Sequence, residues 1–240
     1  MRRLGGVWLR SLLVQGSFSF DRMIGVGTAW AIQPLLRDLP PERYRPAMRR
    51  ATQFFNAHPY LAGMAIGALA RVEHERVPEE TIARLRQALV SPLGSVGVKL
   101  FWAGLMPAAV GVGLTVGALT SPVPGVITFL VLYNVGHFTL RTWALREGWR
   151  KGREVSRALT ARGIQRGLRL AGPVGALAVG VAIPIVGGWL ARGFTLETKL
   201  SIALVAVLAV ALAQWILPTF RGLRFGVFAA LVALLLGWLW

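Results

Sequence analysis

Pro92-Leu93-Gly94-Ser95-Val96-Gly97-Val98-Lys99-Leu100-Phe101-Trp102 opens an apolar run that continues to Leu119 and divides the chain. The residues before it are mixed and charged, and those after it are mostly hydrocarbon-like. Pro92, Gly94 and Gly97 weaken helix here, because proline lacks an amide donor and glycine has the most backbone entropy to lose. Irregular backbone at membrane depth is tolerated only where protein or a watery cavity satisfies its polar groups. The stretch therefore reads as a broken entrance joining a cytoplasmic half, 1–91, to a membrane half, 92–240. That division suits a transport subunit better than a soluble enzyme.

The totals agree. Of 240 residues, 55% are hydrophobic and only 15% charged, which is far more apolar than a soluble domain. Lys and Arg nonetheless outnumber Asp and Glu by 27 to 10, giving a net charge of +17. The densest basic stretch, Arg141 to Arg169, lies between two apolar runs, where the positive-inside rule places a cytoplasmic loop. No aromatic-interleaved basic surface or recognition motif accompanies the charge, so nucleic acid is not an expected partner. There is no cysteine, which excludes disulfides, zinc thiolates and thiol catalysis. Arg10 interrupts the only apolar core near the N-terminus, so no secretory signal is expected.

Along the chain, residues 1–36 are amphipathic rather than spanning, because Arg10, Gln15, Asp21 and Arg22 interrupt before twenty apolar residues accumulate. Asp38 to Pro46 carries three prolines and reads as a turn. Helices are expected over 47–56 and 60–75. Pro78-Glu79-Glu80 then starts a short amphipathic helix, with its acids at the positive helix end. Five spans come next by hydropathy, at about 98–119, 123–140, 168–190, 200–217 and 225–240. The fold class expected is all-α: a polytopic helical membrane protein with an N-terminal cytoplasmic or interfacial helical region and about five spans. Its place is the inner (cytoplasmic) membrane, with the basic loop 141–169 and the N-terminal half inside and 120–122 outside. The reverse orientation would export the nine basic residues of that loop.

Small residues recur every fourth position at Ala109, Gly113 and Gly117, and again at Gly172, Ala176, Gly180, Pro184 and Gly188. Such faces let helix backbones approach closely, and prolines such as Pro107 and Pro184 also surround midplane transporter sites. Gly111-x-Gly113-x-x-x-Gly117 lacks dinucleotide-fingerprint spacing, and no Walker lysine motif occurs. Glu73-His74-Glu75 groups three titratable residues, but consecutive helical residues diverge, so a solvated face is expected rather than a metal site. His137, near Asn134, is expected at an interface, although an intramembrane polar pair is also a site candidate. Asn56 and His58, beside Pro59, form a polar pair where two helices meet. An amide can both donate to and accept from a sugar hydroxyl, while spacing alone suits Asn56 to a helix cap. No constellation supports a catalytic residue, a metal or a cofactor.

Gln15-Gly16-Ser17-Phe18-Ser19-Phe20-Asp21-Arg22-Met23 resembles the opening motif of IID components of mannose-type phosphotransferase systems (the mannose/fructose/sorbose family). The resemblance continues through Arg50-Ala51-Thr52-Gln53-Phe54-Phe55-Asn56-Ala57-His58-Pro59 and reaches Ser91 to Gly97 with Phe101-Trp102. It implies a membrane subunit, not an enzyme, that pairs with a IIC subunit around a hexose pathway, in a trimer of IIC–IID pairs. Soluble IIA and IIB partners would relay phosphate, and IIB would phosphorylate the sugar. Substrate-binding roles fall on Gln15, Ser17, Asn56 and His58. Three departures stand out: Val98 where the family has an aspartate, followed by Lys99, and Ala51 where it has a histidine. They open an alternative, a non-transporting membrane scaffold or regulator that docks phosphotransferase proteins.

Overall fold

The computed structural model describes residues 2–216. The elements are α1 (Arg2–Ser11), α2 (Gly25–Leu36), α3 (Pro41–Ala51), α4 (Ala62–His74), α5 (Glu79–Gly97), a π-helix (Val98–Leu105), α6 (Met106–Leu119), α7 (Pro122–Lys151), α8 (Ser156–Leu159), α9 (Arg162–Leu190) and α10 (Leu196–Ile216). Short 3₁₀ turns occupy Val14–Ser17, Gly152–Glu154 and Ala191–Gly193. Among the described residues, β-pairing is confined to isolated bridges, Ser19 with Met23 and Met23 with Phe55.

Among the described residues, three helical stretches are long and apolar enough to cross a bilayer: Glu79–Leu119, Pro122–Glu154 and Arg162–Gly193. They contain the first three expected spans. The fourth expected span falls on α10, which ends at the limit of the described residues, and the fifth, 225–240, lies outside them.

The broken entrance at Pro92 is not observed. Helix is unbroken from Glu79 to Leu119, and the irregularity lies further on, in the π-helical turns Val98–Leu105. Pro107, in the first turn of α6, supplies a reason. Its ring conflicts with the carbonyl four residues back, at Ala103, and wider π turns relieve that conflict. The expected turn 38–46 is likewise shorter. α3 starts at Pro41, where a missing amide costs nothing, and Glu42 favours the positive helix end. Nor is 141–169 a loop: α7 runs on to Lys151 and α9 begins at Arg162, so non-α backbone is confined to residues near 152–161.

The chain packs as two compact units: one through Trp102 together with Asn134–Leu170, the other comprising Ala103–Tyr133 and residues from Ala171 onward. In the first, α2 and α4 carry most of the core. Leu36, Phe55, Leu61, Met64, Ile66 and Val72 are fully buried, each contributing about 2 kcal/mol of hydrophobic stabilisation. Two glycines allow α4 to touch the C-terminal half of α7. A Cβ on Gly67 would meet the backbone of Leu145 and Trp149, and one on Gly148 the backbone of Met64.

In the second unit, glycines bring helices to close contact with main chain and small or rigid side chains. A Cβ on Gly104 would overlap Ala171, one on Gly175 would meet Pro107 and the carbonyls of Ala103 and Gly104, and one on Gly111 would overlap the backbone of Ala178. Residue numbers rise together along this seam, so α6 and α9 run parallel. Gly113 and Gly117 instead face Gly125 on α7, with falling register, so α6 and α7 run antiparallel. The expected stripe on α9 is therefore displaced. Gly172 and Gly188 have open space where a Cβ would sit, and Ala171, Gly175 and Ala178 form the contact.

Candidate functional site

The three sequence segments of the phosphotransferase-like pattern converge in the first unit. Met23, in left-handed backbone with φ of 51°, turns the first segment back on itself through paired hydrogen bonds with Ser19. The Phe55 amide donates to the Arg22 carbonyl at 3.2 Å, and the Ile24 amide to the Phe55 carbonyl at 3.1 Å. The third segment joins through Gly97, where a Cβ would overlap the Cβ and Cγ of His58. Glycine is required there by contact, not by backbone angle.

His58 sits within an aromatic stack. Its ring is parallel to Phe101, with centroids 5.0 Å apart and planes 10° apart, and Tyr60 presents an edge to both. The Tyr60 amide donates to His58 Nδ1 at 3.3 Å, which leaves Nε2 to carry the proton. Burial pushes His58 down to about 4, helped by the positive charge of Arg141, so the imidazole is neutral at physiological pH.

Arg141 is the hub of this cluster. Only 2% of it is exposed. Its guanidinium lies 5.1 Å from the Tyr60 ring centre, donates from Nε to His137 Nε2 at 3.2 Å, and donates from Nη1 to the Ser11 carbonyl and to Ser11 Oγ. A buried cation is tolerable only when it is hydrogen-bonded, and these contacts engage its Nε and Nη1 donors. Trp8 completes the wall: its indole N–H donates to Thr142 Oγ1 at 3.0 Å, and its ring packs on Phe138.

The four sequence-assigned residues are distributed unevenly. His58 is buried at the centre of the cluster, and Asn56 is exposed two residues away on the same segment. Asn56 does not cap the following helix, because α4 begins after Leu61 without a side-chain cap. Gln15 is exposed in its 3₁₀ turn, and Ser17 is half-buried, with Oγ donating to the Val14 carbonyl at 3.4 Å. None of the four lines the small cavity of about 20 Å³ that lies between Arg50, Glu73 and Arg86.

Glu73-His74-Glu75 was expected to be a solvated face; Glu75 is exposed, but Glu73 is not. Glu73 is buried and receives both Arg50 Nε and Nη2, at 2.9 and 2.8 Å, while Arg43 donates to the Glu73 carbonyl. Burial pulls the Arg50 guanidinium down, but its hydrogen bonds and pairing with Glu73 and Glu79 prevail and raise it. His74 bonds the Leu35 carbonyl at 2.7 Å. Arg86, also buried, donates to the carbonyls of Ala51, Gln53 and Phe54 at and just past the end of α3 and lies over the Phe55 ring. Among the described residues, no group of His, Asp and Glu side chains is placed to hold a metal ion.

Sequence reasoning missed Arg141, which was placed at the start of a loop, and with it Tyr60 beneath its guanidinium and Phe101 as the stacking partner of His58. The available signal was His137 and Arg141 four apart at the end of the apolar part of a helix, a spacing that puts two polar groups on one face.

Residues 2–230 match the family described as the PTS system mannose/fructose/sorbose family IID component. The chain is 32% identical over 160 residues to the mannose-specific EIID component of Escherichia coli K12, an alignment covering 62% of this chain and a little over half (56%) of that protein. It is 28% identical over 187 residues to the sorbose-specific EIID component of Klebsiella pneumoniae, covering 75% of this chain and 68% of that one. Its fold resembles a chain in the cryo-EM structure of the mannose transporter ManYZ with microcin E492, with a TM-score of 0.60 at 24% identity, over 100% of this chain and 96% of the other. With a match running almost end to end, and with its three signature segments packed against one another, the chain belongs to the mannose/fructose/sorbose family of phosphotransferase-system IID components.

Proposed function

We propose that this chain is the IID half of a sugar-translocating phosphotransferase complex, lining a hexose pathway with a IIC subunit in the cytoplasmic membrane. The observation that carries the reading is the convergence of segments 15–23, 50–59 and 91–102 on one packed cluster, with exposed Asn56 beside buried, neutral His58. Asn56 offers a sugar hydroxyl both a donor and an acceptor. His58, locked by Phe101 and Gly97, holds the segment that presents Asn56. Gln15 and Ser17 bind sugar hydroxyls from the opening segment. Phosphoryl transfer to the hexose belongs to a IIB partner recharged by IIA, and the membrane assembly is a trimer of IIC–IID pairs. The helical region of residues 1–91 and the basic segment 141–169 lie on the cytoplasmic side, as the positive-inside rule favours.

The test is accumulation of radiolabelled 2-deoxyglucose, mannose and fructose in cells carrying the IIA, IIB and IIC partners. Asn56→Ala at equal membrane expression is expected to lower uptake of the transported sugar by about tenfold, the loss of one uncharged pair of hydrogen bonds that leaves the sugar hydroxyl unsatisfied. Unchanged uptake removes Asn56 from the pathway.

A second reading is favoured by one observation: Val98, at the start of the π-helix, is 51% exposed and cannot hydrogen-bond a sugar. On this reading the chain is a scaffold that docks phosphotransferase proteins without moving sugar. Flux that requires this chain excludes it.

A further inference from the structure

We propose that the first two turns of α9 bind anionic phospholipid headgroups, with Arg162, Arg166 and Arg169 as the contact residues. Their spacing of four and three places them on one helix face, and all three are exposed. The opposite side of the same turns is the packed one, since a Cβ on Gly167 would sit 3.5 Å from Leu100.

The protein itself supplies these cations with no counter-charge. Between 141 and 169 there are nine basic residues and two acidic ones, Glu147 and Glu154. Both acids are already engaged, Glu147 by Arg150 and Lys151, and Glu154 by Arg157. Among the described residues, Arg162, Arg166 and Arg169 make no ion pair. The first turn of α9 contains no acidic residue either, and a helix start, where the peptide dipole is positive, is an unfavourable place for cations. An external anion relieves both conflicts.

The next turns of the helix select the kind of anion. Beyond Arg169 come exposed Leu170, Val174 and Leu177, so guanidinium groups give way within one turn to exposed hydrocarbon. That order matches a bilayer leaflet carrying phosphate at its surface and acyl chains below, and guanidinium pairs well with phosphate oxygens. A nucleic acid or an acidic protein would satisfy the arginines but leave the adjoining apolar row in water. Headgroup binding of this kind does not require that the chain move sugar.

The experiment is spin-label EPR of the full chain in phosphatidylcholine bilayers, comparing motionally restricted spin-labelled phosphatidylglycerol with spin-labelled phosphatidylcholine. The wild type is expected to prefer phosphatidylglycerol by about threefold or more, with the preference falling between about 0.1 M and 1 M NaCl. R162Q/R166Q/R169Q is expected to bring it close to parity, whereas R192Q, at the other end of α9, retains it. Equal affinities in the wild type, a preference indifferent to salt, or full preference in a triple variant of unchanged helicity would overturn the proposal. Abolition by millimolar inorganic phosphate would likewise overturn it, by identifying a free-phosphate site. The wild-type salt series decides the matter even if the triple variant does not fold.

Discussion

His58 shows how a single side chain can tie stability to pH. Its imidazole is buried against Phe101 and faces Arg141, and its pKa falls from the ordinary 6.5 to about 4. The folded state thus keeps it neutral, while the unfolded chain takes up a proton once the pH drops below about 6.5. The stabilisation is complete above that value and is lost as pH falls through the window to about 4, a loss of about 3 kcal/mol across it. Thermal unfolding of the detergent-solubilised protein is expected to show this decline in the wild type and a flatter profile in His58→Gln. A parallel decline in both proteins would show that other groups set the acid limit. The residue itself was legible in the sequence, because a histidine before Pro59 in a segment resembling the IID pattern draws attention. Its stacking partner was not, since Phe101 lies 43 positions away and only the fold brings the two together. Arg141 was missed for a different reason: counted by charge, an arginine beside an apolar run looks like the start of a loop, and burial by Ser11 and Tyr60 has no local signature.

Among the elements, α3 depends on a side chain from another helix for its end. Arg86 of α5 reaches the carbonyls of Ala51, Gln53 and Phe54, which have no helical partner of their own. Arg86→Met keeps much of the volume but leaves these groups unsatisfied, and is expected to cost about 3 kcal/mol in chemical or thermal unfolding. Arg86→Lys should recover only part of this, because one ammonium cannot fork across three acceptors. Equal stability of Arg86→Met and the wild type would show that water satisfies those carbonyls. Helix existence was readable from capping and periodicity: proline with acids at Pro78-Glu79-Glu80, and the apolar runs after residue 98. Where a helix would bend was less so. Pro92 looked like the breaker, yet α5 passes through it, whereas Pro107 coincides with the π turns because the carbonyl it disturbs lies in Val98–Leu105. Four-residue spacing on α9 likewise identified close packing but chose a row starting at Gly172, one step round the helix from Ala171 and Gly175. Several rows of small residues are present, and only the neighbour's shape decides which one is used.

For the molecule as a whole, orientation is the property most open to direct measurement. α7 joins the turn at 120–122 to the segment 152–161 and is long and apolar enough to cross a bilayer, and the orientation proposed above puts the two on opposite sides. The chain has no native cysteine. Ser121→Cys is expected to react with a membrane-impermeant maleimide in intact spheroplasts, and Arg157→Cys only after permeabilisation. The reversed pattern would place the basic segment outside and overturn the orientation proposed above. The seam between α6 and α9 bears on permeation as well. At Gly104, Gly111 and Gly175 the two helices meet through main chain, the Ala171 methyl and the Pro107 ring, none of which can swing aside. A crevice closed by main chain, a methyl and a fixed ring has no gate to open, and a solute needs a gap that neither helix can provide without the pair coming apart. Whatever route a solute takes beside this chain, it does not thread between those two helices.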